Sequence, residues 1–181
     1  MKLSLGPLQY YWSRVATMQF YESACDWPVD VVYLGETVCS RRHELRLDDW
    51  LDIAQMLAQA GKVPVLSSQV LLESGRDVNT LRKVTEQADY LVEANDMGAV
   101  RLMQGRDFVA GPFLNVYNGP VLDLIASQGA VRWVMPLEMG RAGLAQLQIS
   151  VLSKPITLTS SGTRSPASCK TSMTPIAAMS F

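Results

Sequence analysis

Cysteine is scarce in this sequence: Cys25, Cys39 and Cys169 are the three in 181 residues, an odd count at irregular spacing. That argues against a disulfide framework and leaves reduced thiols or metal ligation as the roles open to them. Histidine is scarcer, with His43 alone, and neither an H-E-x-x-H metal site nor a G-x-S-x-G nucleophile elbow occurs. Neither sign of charge is in excess, since 16 Lys and Arg stand against 17 Asp and Glu for a net charge of -1. This interspersed balance leaves no electrostatic footprint for nucleic acid or an anionic membrane surface. No segment reaches the roughly 18 apolar residues that a membrane span needs, and Gly6-Pro7 interrupts the amino terminus before a signal-peptide core could form. These absences predict a cytoplasmic protein without a transmembrane segment.

What is present suits a folded domain. Hydrophobic residues make up 48% of the chain, enough for one domain with a real core. The stretch Val29 to Leu34 is rich in β-branched residues and ends at Gly35, after which Glu36, Cys39, Arg41 and Arg42 follow at once. Such a run reads as a buried parallel strand that delivers a functional loop at its carboxyl end.

In chain order, strands are predicted at Leu3 to Leu5, Val29 to Leu34, Val63 to Ser67, Tyr90 to Glu93, Asp107 to Ala110 and Val131 to Met135. Helices are predicted between them at Arg14 to Ala24, Leu47 to Gly61, Asp77 to Ala88, Asp96 to Met103 and Gly119 to Gln128, with a further one beginning at Gly140. Val15, Met18, Phe20 and Tyr21 supply the apolar spacing of the first helix. The second is the clearest, acidic in its first turn and apolar at Trp50, Ile53, Ala54 and Leu57. Six successive βα units predict a parallel sheet, and since Gly6-Pro7-Leu8 offers no G-x-G-x-x-G turn, a (β/α) TIM-barrel-like domain is expected rather than a dinucleotide-binding open sheet. Residues 1–149 form this incomplete α/β barrel. Beyond Glu138 there is no acidic residue, and residues 150–181 run through Ser, Thr and Pro without periodicity. A complete barrel takes eight units and about 250 residues, so 150–181 is expected to be a divergent tail, non-native or disordered.

Polar residues gather at the predicted strand carboxyl ends: Glu36 and Cys39; Ser67, Ser68 and Gln69; Glu93, Asn95 and Asp96; Asn115, Tyr117 and Asn118; and Glu138. In a barrel these loops share one face. Helix capping is the competing role, and for Ser67 and Asp96 taken singly it is the favoured one. Cys39, with Arg41 and Arg42 beside it, has the electropositive setting that lowers a thiol pKa and suits metal or cluster ligation. A nucleophile paired with His43 and a structural cysteine are the alternatives. Cys25, in a predicted helix, reads as a small buried hydrophobe. Asn115, Tyr117 and Asn118 line a pocket or serve turn geometry. Glu138 is a second-face carboxylate or a helix-start residue at the positive end of the dipole. Trp12, Trp27, Trp50 and Trp133 are expected in the core or in helix packing.

Four stretches carry a resemblance: Leu5-Gly6-Pro7 with Tyr10-Tyr11-Trp12; Tyr33-Leu34-Gly35-Glu36-Thr37-Val38-Cys39-Ser40-Arg41-Arg42; Phe108 to Asn118; and Arg132 to Glu138. Together they resemble the collagenase-like peptidase family, in its branch serving oxygen-independent ubiquinone biosynthesis, across residues 1 to 148. The resemblance implies a barrel-like fold, a 4Fe-4S cluster held by four cysteines, a heterodimer with a UbiU-like protein, and hydroxylation of ubiquinone-biosynthesis intermediates without O2. Cys39 matches one cluster ligand of the family. Cys169 lacks the surrounding motif, and one thiolate cannot hold a cluster that takes four. The function expected is therefore that of an iron-sulfur accessory protein of ring hydroxylation. A peptidase-like protein and a truncated remnant unable to hold the cluster are the alternatives.

Overall fold

A computed structural model describes residues 2–38, 44–150, 157–160 and 177–178. Strands and helices alternate: β1 (Lys2–Leu5), α1 (Arg14–Ala24), β2 (Val31–Leu34), α2 (Leu47–Gln59), β3 (Val63–Ser67), α3 (Gly75–Glu86), β4 (Leu91–Ala94), α4 (Met97–Leu102), β5 (Phe108–Ala110), α5 (Gly119–Ser127), β6 (Ala130–Met135) and α6 (Arg141–Ser150). A single 3-10 turn, Pro112–Leu114, lies between β5 and α5. Strands β1 to β6 pair in parallel, each with its sequence neighbour, and curl into a half-barrel. The expected fold class, an incomplete α/β TIM-barrel-like domain, is the observed one. No helix among the described residues is long and apolar enough to cross a membrane.

Two short strands extend the sheet where periodicity indicated no element: β7 (Thr157–Ser160) runs parallel to β6, and β8 (Ala177–Ala178) antiparallel to β1. A sheet edge offers unpaired backbone donors and acceptors that an extended segment satisfies without any side-chain pattern. Hydrophobic periodicity therefore carries no signal for them.

Strand parity divides the core. Val31, Tyr33, Val65, Val109 and Val134 form one buried cluster with Leu91 packed against it. These residues are adjacent in strand register and two apart along each strand, so they share the interior face of the curled sheet. The alternate residues, among them Val32, Leu34, Leu66, Val92, Phe108 and Trp133, pack against the helices. Helix α2 buries Trp50, Ile53, Ala54 and Leu57, as its spacing predicts. In α1 the buried residues are Thr17, Tyr21 and Ala24, while Val15 is exposed. Tyr21 won the core-facing position because Trp50 and Phe20 stack edge-on around it. Trp12, Trp50 and Trp133 are buried, and Trp27 packs edge-on against Phe20.

The helices begin on side-chain caps. Ser74 Oγ accepts from Asp77 N at 3.2 Å while Asp77 Oδ2 accepts from Ser74 N at 2.9 Å, a reciprocal box that opens α3. In α2, Asp49 Oδ2 accepts from Arg46 N at 2.8 Å, and its other oxygen pairs with Arg14 Nη2 at 2.7 Å, tying α1 to α2. Asp96 caps α4 through Gly98 N at 2.6 Å and Ala99 N at 3.2 Å, whereas Ser67 caps nothing and ends β3 on the interior face. Capping is thus the role of Asp96, and for Ser67 that expectation is corrected: strand register, not helix entry, sets its side chain.

Candidate functional site

The carboxyl ends of β2 to β6 meet at one rim, and the backbone there approaches more closely than side chains would allow. Gly35 follows β2 at φ 141°, and a Cβ on it would stand 2.7 Å from the Ser67 carbonyl oxygen. Glycine is the residue that both the positive φ and this contact with β3 require.

Below the rim lies a polar cluster from β3 and β4. Ser67 and Glu93 are register partners, as are Glu93 and Val109 on the other side, so Glu93 projects into the half-barrel interior. It is 1% exposed. Ser68 N donates to the Glu93 carbonyl at 2.9 Å and Asn95 N donates to Ser68 Oγ at 2.9 Å, a lattice that splices the two strand ends. The Asn95 side chain donates through Nδ2 to the Ser68 carbonyl at 3.0 Å and to Glu93 Oε2 at 3.2 Å. Burial pushes the Glu93 carboxyl up to about 6, opposed by the neighbouring Ser67 hydroxyl and Asn95 amide, which favour the charged form. A carboxyl set there holds or releases a proton near neutral pH, which is the property a general acid or base needs.

The candidate residues from the sequence distribute differently. Cys39, Arg41 and Arg42 lie outside the described residues. Glu36 follows Gly35 at the end of β2, half-buried, bridged through its backbone to Leu8. Its charge, after desolvation, helps push the wholly buried Tyr21 phenol upward. Tyr117 and Glu138, 21 residues apart, are brought together: the phenol hydroxyl donates to Glu138 Oε1. That bond holds the Glu138 carboxyl below its ordinary range and raises the Tyr117 phenol. Asn118 caps α5, its Oδ1 accepting from Val121 N at 3.0 Å. Asn115 adopts the left-handed conformation at φ 55° and closes the 3-10 turn, a conformation that Asn tolerates better than most residues. Both asparagines therefore serve turn geometry. Glu93 and Asn95 are the residues that sequence reasoning noted at a strand end without singling out. Their signal was the alternation in Leu91-Val92-Glu93-Ala94-Asn95, which puts a carboxylate on the face where the neighbouring strands carry Val65 and Val109.

Around the rim, exposed apolar side chains follow the strands: Tyr10 and Tyr11 after β1, Val38 after β2, Leu71 after β3, Met97 in the first turn of α4, Tyr117 after β5 and Leu137 after β6.

The described residues do not fit an iron-sulfur cluster. Cys25 is the described free cysteine; it sits at the carboxyl end of α1, half-buried, with Sγ donating to the Tyr21 carbonyl at 3.5 Å. Among the described residues no group of three or more His, Cys, Asp and Glu converges as a metal site would. Cys39 and Cys169 lie outside them. No family model matches the chain, and no solved structure matches it.

Proposed function

We propose that the chain is an accessory protein of oxygen-independent ring hydroxylation in ubiquinone biosynthesis, similar to the UbiV protein and acting in the cytoplasm with a UbiU-like partner. The observation that carries this reading is the position of the four resembling stretches. Their described residues fall at the ends of β1, β2, β5 and β6 and in the connections that follow, the edge where barrel proteins build their sites. The exposed apolar side chains of those loops supply a surface suited to a prenylated substrate or a partner subunit. The family's 4Fe-4S cluster takes four thiolates, and Cys39 is the one matching position here, so the reading assigns this chain binding and orientation and routes no chemistry through a cluster.

Deletion of the gene tests it. Ubiquinone made during anaerobic growth should fall in the deletion strain and return when the chain is supplied, with aerobic ubiquinone unchanged. Undiminished anaerobic ubiquinone would overturn the reading. Anaerobic reconstitution with iron and sulfide, followed by an iron count, separately decides whether this chain carries iron.

A further inference from the structure

The six parallel strands make half a barrel, yet interior-facing groups at both of its margins are shielded as they would be in a closed one. At one margin, Val134 on β6 is 0% exposed. At the other, Ser4 on β1 is the register partner of Val31, a residue of the interior cluster, and Ser4 Oγ is buried. Between them Tyr33, Val65 and Val109 are 1% exposed or less. Arg132, beside Val109 in register, faces this interior as well. An open trough would leave the groups along its two edges in water, because no strand would stand beyond them.

The strands that flank the trough explain the shielding. β7 continues the sheet beyond β6, from Arg132 opposite Thr157 to Met135 opposite Ser160. β8 continues it beyond β1, with Lys2 opposite Ala178 and Leu3 opposite Ala177. These two strands stand at opposite ends of the order β7-β6-β5-β4-β3-β2-β1-β8, and still their Cα atoms come within 8 Å of one another. Laid flat, the outer strands of an eight-stranded sheet would be roughly 34 Å apart at the usual spacing. The sheet has therefore curled until its ends meet. Eight strands is also the number at which side chains fill a barrel's interior, in keeping with the packing of Val31, Tyr33, Val65, Val109 and Val134 into one cluster.

We infer that residues 157–160 and 177–178 form a strap that closes the barrel in place of the last two βα units. Closed, the strap covers both sheet edges and keeps them from pairing with a second copy of the chain. Its two halves are unequal, since β7 holds β6 along four residues and β8 holds β1 along two. The seam between β1 and β8 is therefore the one that opens first, and opening it bares the β1 edge and the interior beside Ser4. The inference goes beyond the ring-hydroxylation reading and does not rest on it, since backbone pairing defines the strap.

A disulfide across that seam tests the strap in the full chain. Lys2→Cys and Ala178→Cys are introduced together, with Cys25, Cys39 and Cys169 changed to Ser, so that the one disulfide available joins β1 to β8. Opposed residues of an antiparallel pair lie about 4.5 to 5.5 Å apart at Cα, within disulfide reach. Oxidation in dilute solution should link most molecules internally, giving a monomer on non-reducing electrophoresis. Crosslinked dimers would place β8 on a second copy, and thiols that stay free would leave the seam unformed; either result overturns the proposal. Hydrogen exchange gives an independent reading at the other end of the strap. The β6 amides that face β7 should be protected in the wild-type chain, and Leu158→Pro with Thr159→Pro, which removes β7 donors, should speed their exchange about tenfold or more. Should either variant fail to fold, the wild-type chain decides, because β6 amides on that side exchanging as freely as in an unfolded peptide also overturn the proposal. Both measurements use the purified chain and the ubiquinone assay uses cells, so either reading can fail without the other.

Discussion

Asn95 lays its carboxamide across the backbone of Gly111, so closely that a Cβ on Gly111 would stand 2.0 Å from Asn95 Oδ1 and 2.9 Å from the Ala94 carbonyl oxygen. The two residues end neighbouring strands, and the side chain of one occupies the space a side chain of the other would need. With Nδ2 bound to Ser68 and Glu93, the amide has nowhere to retreat without breaking the cluster that positions Glu93.

Gly111→Ala should therefore destabilise the fold by about 1 to 3 kcal/mol, the range of overpacked sites. Denaturant unfolding measures it. Asn95→Ala in the same background should recover part of the loss by vacating the space, and a double-mutant cycle that shows strict additivity would contradict the contact.

Glu93 should make the fold less stable as the pH rises. Its carboxyl titrates at about 6 in the folded chain and at an ordinary 4.5 when exposed. Between those values the native state keeps a proton that the unfolded chain has already released. Stability carries no penalty below the lower value and loses about 2 kcal/mol as pH passes through the upper one. Glu93→Gln should flatten this fall, so that thermal unfolding midpoints of variant and wild type diverge between pH 4.5 and about 6 in the variant's favour and keep a constant separation above that.

The Arg14–Asp49 pair acts in the opposite direction. The Arg14 guanidinium, helped by the Arg46 backbone N–H, holds the Asp49 carboxyl down at about 2 from an ordinary 3.8. Its contribution is present above the ordinary value and is lost as pH falls through the depressed one. Asp49→Asn should shift the acid-unfolding midpoint to higher pH by a small amount, because both side chains remain open to solvent screening. Circular dichroism during acid titration measures that shift.

Tyr117→Phe should release Glu138. The carboxyl, held low chiefly by the Tyr117 hydroxyl, should return toward the ordinary glutamate range, with stability nearly unchanged since both residues lie at the surface. A carboxyl titration by NMR that showed no upward movement would contradict the bond.

The helices and parallel strands of residues 1–149 were legible in the sequence because each is local: β-branched runs, a helical period and polar caps are properties of neighbours along the chain. Trp50, Ile53, Ala54 and Leu57 declare one face of α2 without reference to anything else. The rim loops were legible for the same reason, as polar residues immediately after apolar runs. The chain by itself also determined that Asn115 and Asn118 sit at turns, although not which of their roles would prevail. The tertiary structure decided everything that depends on strand register. Ser67 could have been a cap until β3 and β4 aligned it with Glu93, and nothing local to Arg132 announces that it faces the same interior as a carboxyl 39 residues earlier. The short strands β7 and β8 belong to the same class, since they are made by backbone pairing at sheet edges. A side chain's type is written in the sequence, but whether it meets water, a helix or the interior of a curled sheet is settled by which strand lies beside it, and that is a non-local property.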